Sequence, residues 1–135
     1  MTPLFLDTSY LIAIESADDQ HHKAASAHWA NLLKSPRRLV TSSYVLVEVV
    51  TLLNSRRSHS KAVELGNNLL SSRLFNVVHV NEELFYAAWR YFQKHKDKRY
   101  SMTDCVSFLL MKKLGITEAL TFDRHFVQAG FVRLP

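Results

Sequence analysis

Glycine and proline are scarce, with three of each in 135 residues. So few turn formers exclude collagen-like and elastic chains and most turn-rich β-sandwiches. Cysteine is nearly absent. Cys105 alone can form neither an internal disulfide nor a C-x-x-C metal or redox site, and a reducing, intracellular compartment fits this usage. No apolar run approaches the roughly 18 residues of a membrane span. The opening Met-Thr-Pro-Leu-Phe-Leu is apolar but has no basic flank and meets Asp7 at once, the first basic side chain being Lys23. A soluble, cytoplasmic protein with no membrane partner is therefore expected. Gly66, Gly115 and Gly130 stand apart, which removes P-loop and dinucleotide-binding loops, and no G-x-S-x-G elbow supports a serine hydrolase.

What is present is ordinary globular material: 47% hydrophobic and 21% charged residues, in a chain long enough to bury a core without staples. One domain over residues 1–135 is expected. Seventeen Lys and Arg against twelve Asp and Glu leave a net charge of +5, which points to an anionic partner, nucleic acid first.

Short apolar strands alternate with helices. Residues 3–6, 39–41, 75–80 and 118–122 read as strands, with 131–133 as a candidate fifth. Between them, helices are expected from the Asp7-Thr8-Ser9 start to about Ser16, and from Asp18–Asp19 to Leu33. Further helices are expected over 44–53, 61–70, 82–95, and from the Ser101 cap to Leu114 with Gly115 as its stop. The stretch Tyr44–Leu53 carries four valines and suits a strand by composition; its length and the Ser42–Ser43 cap signal favour a buried helix. The alternation implies an α/β fold: a three-layer α/β/α sandwich around a mostly parallel sheet of four or five strands.

Four of the acids stand in apolar company. Asp7 follows Leu4-Phe5-Leu6, Glu48 interrupts a valine-rich helix, Asp104 precedes an apolar helix, and Asp123 follows Leu120-Thr121-Phe122. A buried carboxylate needs a donor, a cation or a proton. Asp7 and Asp123 fall at carboxyl ends of strands, where parallel sheets bind ligands, and the other two can reach the same edge. Four oxygen donors without a cysteine cluster suit Mg²⁺ or Mn²⁺. Structural alternatives stay open: Asp7, Asp104 and Asp123 as helix caps, and Glu48 as half of a buried pair with an arginine.

The motifs Leu6-Asp7-Thr8-Ser9, Val47-Glu48-Val49, Ser101-Met102-Thr103-Asp104 and Thr121-Phe122-Asp123-Arg124-His125-Phe126, in that order along nearly the whole chain, resemble the PIN-domain family of metal-dependent ribonucleases. Within it they resemble the toxins of VapBC toxin–antitoxin systems. The resemblance implies endonucleolytic RNA cleavage at a Mg²⁺ or Mn²⁺ site formed by Asp7, Glu48, Asp104 and Asp123, with supporting polar roles for Ser9 and Thr103. It also implies a cognate antitoxin as partner and a homodimer. Cys105 stands where small or apolar residues are usual and reads as core. An RNA-processing nuclease without an antitoxin, and a non-catalytic PIN-like module that binds RNA or protein, are the alternatives.

Three basic clusters are candidate phosphate contacts: Arg37–Arg38; Arg56, Arg57 and Lys61; and the loop Lys94–Arg99 with Lys98 and Arg99. His21 and His22 are adjacent, so their rings are expected to point different ways. His125, two residues past Asp123, reads as a surface residue near the site. Trp29, Phe85, Trp89 and Phe92 supply more aromatic surface than one small core needs, which fits a subunit contact.

Overall fold

The computed structural model describes residues 2–135. Its centre is one sheet of five parallel strands: β1 (Leu4–Leu6), β2 (Leu39–Ser42), β3 (Phe75–Val78), β4 (Glu118–Leu120) and β5 (Val132–Leu134), in the spatial order β3-β2-β1-β4-β5. The register places Phe5 beside Val40 on one side and Ala119 on the other. β1 is central and wholly buried, which is why Leu4-Phe5-Leu6 shows no polar alternation.

The helices are α1 (Thr8–Glu15), α2 (His22–Leu32), α3 (Ser43–Ser55), α4 (His59–Ser71), α5 (Glu82–Lys94), α6 (Met102–Leu114) and α7 (His125–Gln128). Right-handed crossovers put α1–α4 on one face and α5–α7 on the other, and the helices pack accordingly: α1 on α2 and α3, α3 on α4, α5 on α6, α6 on α7. The three-layer α/β/α expectation holds, and the sheet is parallel throughout. From β1 the chain builds outward to β3, then returns to the other side of β1 to form β4. The gap between the carboxyl ends of β1 and β4 is therefore the topological switch point of the sheet, where α/β folds hold ligands.

The valine-rich segment is helical. Val45, Val49 and Leu53, spaced by four, form its buried stripe, and the Ser42 hydroxyl accepts from the Val45 amide at 3.2 Å to cap it. Some expected bounds move for local reasons. Asp18–Asp19 begin a turn rather than a helix, because the Asp19 carboxylate accepts from the His21 amide at 2.8 Å and delays α2 to His22. β4 stops at Leu120, since Thr121 and Phe122 turn away to bond around Asp7 and Ser9. The short α7 has no periodic pattern to announce it.

Candidate active site

Asp7 is the residue immediately after β1. Its amide donates to the Leu120 carbonyl of β4, and its carboxylate caps α1. Two hydroxyls converge on one oxygen: Thr121 Oγ1 donates to Asp7 Oδ2 at 2.7 Å and Ser9 Oγ at 2.8 Å. Both hydroxyls also accept a backbone amide, Thr121 from Asp123 and Ser9 from Phe122, each at 3.0 Å. The loop after β4 is thus tied to the carboxylate after β1 through Ser9 and Thr121. Burial pushes the Asp7 carboxyl up to about 6, the Thr121 and Ser9 bonds pull it down, and the nearby Asp104 adds to the rise.

Asp104 occupies the third helical position of α6. Ser101 Oγ accepts from the Asp104 amide at 2.9 Å, and Asp104 Oδ2 accepts from the Ser101 amide at 3.1 Å, a complete capping box. The same Oδ2 lies 3.0 Å from His125 Nδ1, and Asp123 Oδ1 lies 3.4 Å from that nitrogen. Against an ionised Asp104 the Nδ1 carries the hydrogen, leaving Nε2 as the acceptor. Burial raises the Asp104 carboxyl above its ordinary value; the Ser101 and His125 bonds oppose this and the Asp123 charge adds to it. Capping and site membership are compatible here, since one carboxylate oxygen serves both Ser101 and His125.

The four predicted acids line one cleft of about 560 Å³, together with Thr8, Ser9, Arg99 and His125. Glu48 differs from its expected setting. It is half-exposed on the cleft wall, and its neighbour Val47 is 60% exposed while Val45 and Val49 face the core. Successive helical residues turn by about 100°, so an apolar run in sequence need not be a buried run in space. Among the described residues Glu48 has no arginine partner. Asp123 is likewise half-exposed.

The remaining predicted residues scatter. Ser9 holds Asp7. Thr103 lies on the adjoining surface with Glu48, Tyr44 and Thr51. Arg99 lines the cleft, in a left-handed conformation with φ 60°, whereas the exposed Lys98 does not line it. Arg56 and Arg57 sit exposed at the α3–α4 turn, and Lys61 Nζ donates to the Glu15 carbonyl at the end of α1; none of the three lines the cleft. Reading the sequence undervalued His125 and missed Thr121 and Thr8. The Thr8 hydroxyl is buried in the cleft wall and is the one buried side-chain polar atom without a hydrogen-bond partner among the described residues.

Part of this set fits a hard divalent cation; Asp7 and Glu48, expected as ligands with Asp104 and Asp123, lie outside the tightest group. Ligand atoms of Asp104, Asp123 and His125 all lie within 4.8 Å of one another. Carboxylate oxygens dominate the donor set, a buried hydroxyl lacks a partner beside them, and burial holds the Asp7 and Asp104 carboxyls above their ordinary range.

Fold and cleft together define a class. Residues 4–132 match the PIN domain, and the chain belongs to that family. Within it, the chain is 39% identical over 131 residues, 97% of each sequence, to the 23S rRNA-specific endonuclease VapC20 of Mycobacterium tuberculosis. The crystal structure of that VapC20, described as a sarcin–ricin loop cleaving toxin, superposes with a TM-score of 0.87 and 38% identity over 96% of both chains. The VapC ribonuclease of Aquifex aeolicus is 26% identical over 133 residues, 93% of this chain and 91% of that one. FitAcB from Neisseria gonorrhoeae shares the fold at a TM-score of 0.66 and 17% identity, over 98% of this chain and 96% of its own.

Proposed function

We propose that the protein is a Mg²⁺- or Mn²⁺-dependent endoribonuclease and the toxin of a VapBC-type pair, acting on RNA in the cytoplasm. The observation that carries this reading is the convergence of Asp7, Glu48, Asp104 and Asp123 on one cleft at the switch point of the sheet. The likeness to VapC20 over almost the full length supports ribosomal RNA as the substrate class. A cation bound by these carboxylates supplies Lewis acidity for water attack on a phosphodiester. The protein's own share is positional. Ser9 and Thr121 fix one oxygen of Asp7, which lines the cleft. Ser101 and His125 fix Asp104, Glu48 presents a carboxylate from the α3 wall, and Arg99 offers a cation to the phosphate backbone.

The antitoxin is expected to close the cleft with a basic side chain, for which arginine suits the carboxylates because its fork binds them bidentately. Self-association is supported by α5, where Phe85, Trp89 and Phe92 are exposed. Trp29 is half-buried and packs against Phe75 and Tyr10.

Cleavage of an RNA substrate with and without EDTA tests the reading. Wild-type protein cleaves with Mg²⁺ or Mn²⁺ and stops when the metal is chelated. Asp104→Asn retains the fold and loses roughly 100-fold or more in rate, the scale on which one preorganised charge acts in such sites. Undiminished cleavage by folded Asp104→Asn would overturn the assignment.

A further inference from the structure

The cleft has one wall that its acids do not explain. His21 lines it, and its imidazole lies flat on the Phe122 ring, with centroids 4.3 Å apart and planes 1° apart. Phe122 in turn stacks on Tyr10, at 6.0 Å and 12°. Tyr10 is wholly buried, and its hydroxyl is fixed by His28 Nδ1 at 2.8 Å. The three rings form a column anchored in the core and ending at the cleft. The column is tied to the acids: Phe122 stands between Thr121 and Asp123, and its amide donates to Ser9 Oγ, which donates to Asp7.

His21 is an unusual end for a column that serves packing alone. It is half-exposed, and among the described residues neither ring nitrogen has a hydrogen-bond partner. Its neighbour His22 shows the contrast, with Nδ1 bonded to the Ala13 carbonyl at 2.8 Å. The His21 backbone is held instead, its amide donating to Asp19 Oδ1. The result is a flat π-face backed by two further rings, with polar edges unspent, beside a cluster of carboxylates suited to a phosphodiester. Aromatic faces of this kind take unpaired nucleobases by stacking, with little dependence on which base is present.

We propose that His21 seats an unpaired nucleobase next to the scissile phosphate, so that the Tyr10–Phe122–His21 column sets where the RNA lies relative to Asp7, Asp104 and Asp123. The inference rests on the nuclease reading above and adds a base-binding subsite to it. Because the three rings are already stacked on one another, seating a base on them orders few further side chains.

The test measures RNA binding in EDTA by fluorescence anisotropy, then single-turnover cleavage in Mg²⁺, on a hairpin carrying the sarcin–ricin sequence of 23S rRNA. Wild-type protein is compared with His21→Ala, His21→Phe and His21→Trp. Hairpins made abasic at either nucleotide flanking the mapped cleavage position form a second arm. His21→Ala should weaken binding by roughly 5- to 100-fold and also slow cleavage at saturating enzyme, because the scissile phosphate is then less well placed against the acids. His21→Phe and His21→Trp, which keep a ring face, should bind within about threefold of wild type. Wild-type protein should lose affinity on one abasic hairpin, and on that hairpin the His21→Ala penalty should vanish. The proposal is overturned if His21→Ala binds like wild type, if His21→Phe loses as much as His21→Ala, or if both abasic hairpins bind wild type undiminished. Should His21→Ala fail to fold, the aromatic variants and the abasic arm still decide. Failure of wild-type protein to cleave the hairpin or whole ribosomal RNA with either metal would instead overturn the nuclease reading itself.

Discussion

Asp7 is 5% exposed, and burial outweighs the Thr121 and Ser9 hydroxyl bonds, so its negative charge is only partly compensated. This has a consequence for stability without metal. The carboxyl titrates near 3.8 in an unfolded chain and at about 6 in the fold. Between those values the native state holds a proton that the unfolded state has released, so stability falls as pH rises from about 4 to 6. Two units of displacement correspond to roughly 3 kcal/mol, and Asp104 shifts in the same direction. Chemical denaturation of metal-free protein should therefore show greater stability at pH 5 than at pH 7. Asp7→Asn should remove most of that slope and be the more stable protein at pH 7. Addition of Mg²⁺ or Mn²⁺ should reverse the trend for wild type, since the cation competes with the proton and stabilises the native state by binding it. A flat profile for metal-free wild type would show that Asp7 is fully compensated. At this scale the acids were legible because a carboxylate in apolar company stands out in a sequence. Thr121, His125 and His21 were not, because their roles come from partners far along the chain: Thr121 meets Asp7 across 114 positions and His125 meets Asp104 across 21.

Among the elements, α6 shows how a helix terminus serves two ends. The Ser101–Asp104 capping box starts the helix and aims the Asp104 carboxylate at the cleft. Ser101→Ala removes one capping bond and should cost about 1 kcal/mol of stability, read as a shifted denaturation midpoint. It should also lower cleavage, since the carboxylate loses part of its bracing. If stability falls while cleavage is untouched, the Ser101 Oγ bond is structural only. Caps were visible in sequence because their chemistry is local: Ser42 and Ser101 both accept the amide bonds that their positions suggest. Gly115, with φ at +69°, closes α6 as its place in the sequence indicates. Ends governed by non-local bonds were less legible. β4 reads two residues too long because Thr121 and Phe122 are apolar-run residues recruited to brace Asp7, and α2 begins late because Asp19 closes a turn on His21.

At the scale of the whole molecule, strand order decides where the chemistry sits and the distribution of charge decides what reaches it. The order β3-β2-β1-β4-β5 cannot be read from any one segment; once formed, it brings residues 7 and 123 to one cleft. The net charge of +5 is visible in composition, yet the cleft itself is acidic, so an RNA must be held by cations around it. Of the basic residues singled out in the sequence, Arg99 lines the cleft, while Arg56 and Arg57 stand at the α3–α4 turn. Phosphate contacts on single-stranded RNA each contribute roughly 0.7 to the dependence of log affinity on log salt. Arg99→Ala should therefore weaken binding of all RNAs about equally and flatten that slope by roughly 0.7, leaving Mg²⁺ affinity nearly unchanged. Arg56→Ala with Arg57→Ala should flatten it by a further amount near 1.4 only if the RNA continues past the cleft along α3. An unchanged slope for that double variant, beside a flattened one for Arg99→Ala, would confine the RNA path to the Arg99 side. An unchanged slope for both would place the phosphate contacts elsewhere on the surface and remove Arg99 from the proposed site.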